Sequence, residues 1–411
     1  MKVLVTGATG PFGRAVCERL VASGHEVTAM ARHHPPHLTT GVRFAQGDIR
    51  DFDTVHEAMT GCSAVVHLAW VVASLKSEAD IAAINLGGTQ NVLDAMARTG
   101  CNRLIFSSSV LAYGAVPGHP PLLSEDDLRR PQAEHHYAAH KMIAEDMIDK
   151  TGVESVFVRS GIIAGRDVDN LIFRNFTSPI LPVPEPDRVQ QFVHTDDVAR
   201  FTADAVSSTR TGPVNITGEG TVTMREIASI MGTRMLIVPE RPLRAGIKMA
   251  WDLGITELAP EEIGGLLYMP IVDTTRLREE WGFTCAWSSR AALTDMARAA
   301  HGQVTLGRKT IRLPWRVSEG TESHVGKLRS ALLRRTYAVE VDRVVRDIDE
   351  VKAQAAVELD EFKAAATCKL LDNLTSHADV LAQLGRRYKF QSTAVARAVS
   401  ASKARTAGAQ S

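Results

Sequence analysis

Short apolar runs and amphipathic stretches alternate through the first part of the chain. "KVLV", "EVTAM", "AVVHLA", "NRLIFSS" and "ESVFVRS" have the length and composition of buried strands, and 12–22, 51–60, 77–99 and 132–151 carry apolar residues at helical spacing. This alternation predicts an α/β fold, a doubly wound, mostly parallel sheet covered by helices on both faces. Between 166 and 318 the pattern turns irregular, with the proline-rich loops "SPILPVPEPD" and "VPERP", as expected of a substrate-binding part built around the edge of the sheet. From about 324 to 384 it changes again: Tyr337, Val341, Val344, Ile348, Val351 and Ala355 recur every three or four residues with charges between them, predicting an amphipathic helix or a helical hairpin. The expected division is therefore 1–165, 166–318 and a helical C-terminal extension, 319–411. Its last stretch carries Arg386, Arg387, Lys389, Arg397, Lys403 and Arg405 with almost no acid; it reads as a frayed, solvated end. A homo-oligomer or partner contact through the C-terminal helices stays open.

Composition narrows the function classes. With 47 basic and 47 acidic residues and 45% apolar content the chain is an ordinary soluble protein with no net field to attract nucleic acid, and no nucleic-acid partner is expected. The five cysteines are widely spaced without a CxxC pair, which argues against a disulfide framework or a thiolate metal site. The histidine clusters "RHHPPH" and "EHHYAAH" lack HExxH spacing, so no metal is expected. The opening "MKVLVTG" enters a strand directly, and no stretch reaches the roughly 18 to 20 apolar residues of a membrane span, so the expected location is cytoplasmic. Ser109 has no GxSxG elbow around it, which disfavours a hydrolase triad.

The sharpest local signal is "TGATGPFG", 6–13, between the first strand and the first helix. Gly7, Gly10 and Gly13 would let the backbone approach a pyrophosphate while the free amides of the helix face its charge. Glycine spacing alone is weak evidence; its place after the first strand strengthens it. At the end of the second strand, "MARHH" offers Arg32 and no carboxylate before Asp48. A carboxylate there would hold an adenosine ribose, whereas a guanidinium pairs with a ribose phosphate, so NADP is favoured over NAD.

Taken together, these motifs resemble the extended short-chain dehydrogenase/reductase family of NAD(P)-dependent epimerases, dehydratases and reductases, over roughly residues 1–300. The resemblance implies a Rossmann-type core and matches "TGATGPFG" to the family's TGxxGxxG, in which Thr9, Pro11 and Phe12 stand beside the glycines. "GDIRD" is similar to its GDxxD segment, implying Asp48 beside the adenine and Ile49 against the ring. "HLAW" is similar to HxAA, with Leu68 and Ala69 lining the cofactor and Trp70 where a small residue is usual. "NLGGTQNVLDA" implies that Asn85 supports the site, and "FSSSVLAYG" that Ser107 lies at the cofactor and Ser109 is the catalytic hydroxyl. "YAAHK" puts Tyr137 and Lys141 four residues apart on one helix face, where an ammonium can lower the phenol's pKa. In the resembling family this tyrosine exchanges a proton with the substrate oxygen and the lysine also holds the nicotinamide ribose. "FVRSGIIAGR", in which Ser160 replaces a usual proline, and "QQFVHTDDVARF" resemble later architectural segments.

Apolar residues dominate the expected substrate side, with Trp70, Val71 and Val72 after the fourth strand and "LIFRNFTSPILPVPEPDRVQQF" at 171–192. An apolar alcohol or ketone is the expected small-molecule substrate. Arg166, Arg174 and Arg188 keep a sugar-nucleotide epimerase or dehydratase open, and a catalytically silent cofactor-binding scaffold is a third reading that the retained Tyr137 and Lys141 disfavour.

Overall fold

In a computed structural model of the chain the described residues are 1–35, 38–72, 78–165, 168, 171–178, 180–252, 256, 258–300, 303–306, 309–312 and, in the tail, 337–339, 341–353, 371, 374–375, 378–379, 381–382 and 392–403. Arg166, Ala355, Arg386, Arg387, Lys389 and Arg405, all named above, lie outside them. The chain divides into two compact units, Met1–Ala245 with Glu257–Thr305, and Gly246–Thr256 with Leu306–Ser411.

The first unit is built on a seven-stranded sheet. Its elements run β1 (Lys2–Thr6), α1 (Pro11–Ala22), β2 (Glu26–Ala31), β3 (Val42–Gln46), α2 (Phe52–Met59), β4 (Ala64–His67), α3 (Glu78–Ala82), α4 (Gly88–Thr99), β5 (Arg103–Ser109), α5 (His136–Asp149) and β6 (Glu154–Ser160). They continue through β7 (Ile162–Ala164), α6 (Leu171–Phe176), β8 (Ile180–Val183), β9 (Val189–Gln190), β10 (Phe192–His194), α7 (Thr195–Ser207) and β11 (Gly212–Ile216). The order across the sheet is β11-β6-β5-β4-β1-β2-β3, and every pairing in it is parallel.

Alternation along β1 explains the layers. Val3 and Val5 join one core with Val16, Cys17 and Leu20 of α1 and Val198 and Phe201 of α7. Leu4 points the other way, into a second core with Val55 and Met59 of α2, Val92 and Met96 of α4, and Ile148 of α5. A third cluster gathers Phe173, Phe176, Leu181, Phe192 and Ile227 in the later, smaller part of the same unit.

Two local outcomes differ from the apolar pattern. β3 was not expected: its sequence "VRFAQ" is half exposed at the sheet edge, so no strong alternation marks it. The helix expected over 77–99 is instead α3 and α4 joined by a wide turn at Ala83–Gly87 with i→i+5 bonding. That turn carries Asn85, whose amide oxygen accepts from Val71 N at 2.9 Å and whose amide nitrogen donates to Val71 O at 3.3 Å. Wide turns of this kind frequently mark functional sites.

In the second unit the tail stripe is buried: Tyr337, Val341, Val344 and Ile348 pack with Ala378, Leu381, Ala394 and Ala398. The Tyr337 hydroxyl donates to the Leu381 carbonyl oxygen at 2.8 Å.

Candidate active site

Strand order reverses between β1 and β4, and ligands of open parallel sheets bind in the crevice beyond the carboxyl ends of such strands. The sequence-selected residues lie at those ends. Gly7 has φ of 70°, a left-handed backbone, and a Cβ there would stand 2.7 Å from Ala69 N. At Gly13 a Cβ would stand 2.4 Å from the Gly7 carbonyl oxygen. Gly10, the N-cap of α1, has only that oxygen nearby, at 3.7 Å, so a side chain there would fill the space in front of the turn. Pro11 opens the helix, Phe12 packs on the core behind it, and Thr9 is exposed. No side chain caps the N-terminus of α1. An open glycine in front of uncapped helix amides is the environment a dinucleotide pyrophosphate needs.

Arg32 is exposed just past β2, and its carbonyl oxygen accepts from Gln46 Nε2 at 3.2 Å. Asp48 accepts from Arg50 through Nε at 3.0 Å and NH2 at 2.6 Å. The Arg50 hydrogen bond drives the carboxyl down to about 2, with Arg32 a weaker contributor. Ile49 presses on α4, where a Cβ on Gly88 would lie 2.8 Å from its side chain.

Leu68, Ala69 and Trp70 follow β4. The Leu68 and Ala69 amides donate to Thr6 Oγ1 at 3.2 and 3.3 Å. Thr6 Oγ1 also lies 2.7 Å from His67 Nδ1, and His67 Nε2 lies 3.1 Å from Thr89 Oγ1, which donates to Asn85 O at 2.6 Å. With Thr6 Oγ1 accepting two amides its own proton goes to Nδ1, which assigns His67 as the neutral Nε2–H tautomer. Burial, aided by the Lys141 charge, pushes its pKa down to about 3. This relay ties the β4 loop to Asn85; Thr6, His67 and Thr89 stand inside motifs read from the sequence, which assigns them no role of their own.

Ser107, Ser109, Tyr137 and Lys141 come together at the end of β5. The Ser109 side chain lies beside the Tyr137 hydroxyl. Ser109 Oγ accepts from Leu111 N at 3.2 Å. Lys141 donates from Nζ to the Ser107 carbonyl oxygen at 2.5 Å and is only 2% exposed. Its ammonium sits 3.6 Å from the centre of the Trp70 ring and 5.7 Å from that of Tyr137. Burial holds the lysine well below its ordinary range, opposed by Glu145. Tyr137 is raised by burial, with the Ser109 side chain opposing. α5 starts at His136, with His135 accepting from Ala138 N at its cap.

Among the described residues an apolar cluster packs against Tyr137. Its ring packs with Leu111, Ala115, Ala138 and Met269, and Trp70 meets Phe106 edge-on at 5.6 Å. Met269 lies far along the chain, and no local signal marks it. Ser108, Glu145 and Arg159 stand directly behind the serines; Glu145 repeats the four-residue spacing of Tyr137 and Lys141, a signal legible in the sequence but not drawn from it.

A phenol, a hydroxyl and an ammonium gathered at the same edge of a parallel sheet as a glycine turn define a class. The chain belongs to the NAD dependent epimerase/dehydratase family, whose model matches residues 3–217. It is 38% identical over 320 residues to an uncharacterized protein of Mycobacterium tuberculosis, covering 77% of this chain and 32% of that one. The chain thus spans about a third of the length of that relative. It is 33% identical over 184 residues to a 2-alkyl-3-oxoalkanoate reductase of Stenotrophomonas maltophilia, covering 42% of this chain and 54% of the reductase. Among solved structures, UDP-glucose 4-epimerase of Thermus thermophilus in complex with NAD matches with a TM-score of 0.59 and 24% identity, over 74% of this chain and 99% of that one. The family is one of NAD dependent epimerases and dehydratases, the Stenotrophomonas relative is a reductase, and among the described residues no helix is long and apolar enough to cross a membrane.

Proposed function

We propose that the protein is an NAD(P)-dependent oxidoreductase acting on an apolar alcohol or ketone, with NADP preferred and Tyr137 as the acid/base. The observation that carries this reading is the Tyr137 hydroxyl, beside the Ser109 side chain and against a cluster of Leu111, Ala115 and Met269 that, among the described residues, offers no charge to a substrate. When bound, the nicotinamide supplies or accepts the hydride. Gly7, Gly10 and Gly13 with the start of α1 would hold its pyrophosphate, and Lys141 its ribose. In the reducing direction Tyr137 gives its proton to the substrate oxygen while Ser109 orients that oxygen; in the oxidising direction the phenolate takes it back. The Lys141 ammonium favours that phenolate.

A sugar-nucleotide substrate would need cations for its diphosphate. Arg188 is engaged instead, pairing with Glu185 at 2.9 Å and lying 4.6 Å over the Tyr268 ring, and Arg174 is also engaged. Those engagements put the reductase reading ahead of the epimerase one.

Tyr137→Phe preserves the ring and deletes the reacting proton. Single-turnover oxidation of NADPH with a long-chain alkyl ketone should slow by about 10²-fold or more with NADPH affinity retained. An unchanged rate would remove Tyr137 from the chemical step.

A further inference from the structure

Three consecutive serines end β5, and three residues of α5, each one helical turn apart, take hold of them. Tyr137 faces the Ser109 side chain, Lys141 donates to the Ser107 carbonyl oxygen, and Glu145 Oε1 accepts from Ser108 Oγ at 2.5 Å. The first two belong to the proposed chemistry. The third does not, yet it is the most heavily bonded. Glu145 is 2% exposed and also accepts from Arg159 Nε at 3.0 Å and NH2 at 2.7 Å, and from Arg129 NH1 at 3.0 Å. Its two oxygens thus receive donors from β5, from β6 and from the segment leading into α5.

Arg159 extends the connection. Its NH1 donates to the Tyr113 hydroxyl at 2.8 Å and to the Glu125 carbonyl at 3.2 Å. Tyr113 in turn donates to Asn215 Oδ1 at 2.8 Å, and Asn215 N donates to Glu125 Oε1 at 2.8 Å. One buried network therefore fixes the strand end, the loop that follows it, and α5 against one another. A fully satisfied polar network of this kind rigidifies its surroundings and specifies one arrangement.

We infer that Ser108 and the Glu145–Arg159 pair are positioning residues of the Tyr137 site: they set the register of β5 on α5 so that the Ser109 hydroxyl and the Lys141 ammonium reach the phenol together. The inference rests on the reading of Tyr137 as acid/base. None of the three touches the reacting atoms. The sheet alone does not set this register, because β5 pairs with β6 through backbone while α5 is joined to the serines only by these side chains and by packing. Among the described residues the charged and titratable groups facing Lys141 are Tyr137 and Glu145 on its own helix and His67 on β4, and the Trp70 and Phe106 ring centres lie 3.6 and 4.8 Å from its ammonium.

Ser108→Ala is the discriminating variant, since it cuts the serine link while leaving the Glu145–Arg159 pair whole, so the fold is kept. The measurement is the phenolate absorbance titration of Tyr137 in the full chain saturated with NADP+, obtained by subtracting the titration of Tyr137→Phe. Ser108→Ala should move the Tyr137 titration to higher pH, because Ser109 and Lys141 both favour the phenolate and both lose their placement. A Tyr137 titration unchanged in Ser108→Ala, with any loss confined to the melting temperature, would overturn the positioning role and leave the acid/base reading standing. A Tyr137 that titrates in the unmodified complex no lower than an ordinary buried phenol would instead sink the acid/base reading, and the positioning role with it.

Discussion

The glycine turn after β1 and the serine run at the end of β5 stand at the same edge of one sheet, yet they are held in opposite ways. The turn is fixed by close backbone contact: Gly7 and Gly13 leave no room for a Cβ, and the backbone bonds around them run within the turn, from Gly7 to Met30 of β2, and from Leu68 of the β4 loop to Thr6. The serine run is fixed by charge. Its anchor, Glu145, is a buried anion shared by two arginines, one reached across 14 residues and the other across 16. Steric fixing works by forbidding alternatives and is brittle to added atoms; charge fixing is brittle to lost ones.

The largest expected effect follows from that contrast. Glu145→Gln keeps the size of the side chain but strands Arg159, itself 4% exposed, without its counter-charge. Breaking a buried pair in this way costs about 3–5 kcal/mol, so urea unfolding should show a loss of that order. A loss below about 1 kcal/mol would mean that water reaches Arg159, and the distinction between the two regions would dissolve.

On the glycine side, Gly13→Ala introduces a Cβ 2.4 Å from the Gly7 carbonyl oxygen and 2.7 Å from Ala8 Cα, both backbone. The expected cost is about 1–3 kcal/mol in unfolding, with NADPH affinity falling because the turn itself must shift. Gly10→Ala meets nothing closer than 3.7 Å, so it should leave stability unchanged while still reducing NADPH affinity in a calorimetric titration. If both variants bound NADPH normally, the turn would be structural only.

The same contrast decides what could be read from sequence. Local devices were legible: the turn after β1, the four-residue spacing of Tyr137 and Lys141, and the strand and helix alternation that yields the parallel sheet all sit within short windows. The edge strand β3 escaped because exposure on both sides leaves it without a hydrophobic face. Arg159 reads from sequence only as part of the architectural "FVRSGIIAGR" segment, and Met269 is not marked at all, for a different reason: their partners lie elsewhere in the chain, and burial of an arginine or the approach of a distant methionine leaves no periodic trace. Trp70 stood out as a departure, but its place over the Lys141 ammonium came only with the fold.

The smallest expected effect concerns Arg32, which belongs to neither kind of anchoring. Its main chain is fixed, since β2 pairs with β3 up to Ala31 and Gln46 and the Gln46 amide holds the Arg32 carbonyl. Its side chain is exposed, and among the described residues no hydrogen bond holds the guanidinium. A free fork on a fixed stem is suited to a ribose phosphate, and the nearest carboxylate, Asp48, is already taken up by Arg50. Because the site is open to water and salt, the gain should be modest: NADPH should bind more tightly than NADH by about tenfold at low ionic strength, and less as salt is added. Arg32→Ala should remove most of that margin by weakening NADPH alone, leaving NADH affinity and the Tyr137 titration where they were. Equal affinities for the two cofactors in the unmodified protein would show that the missing carboxylate after β2 sets no preference.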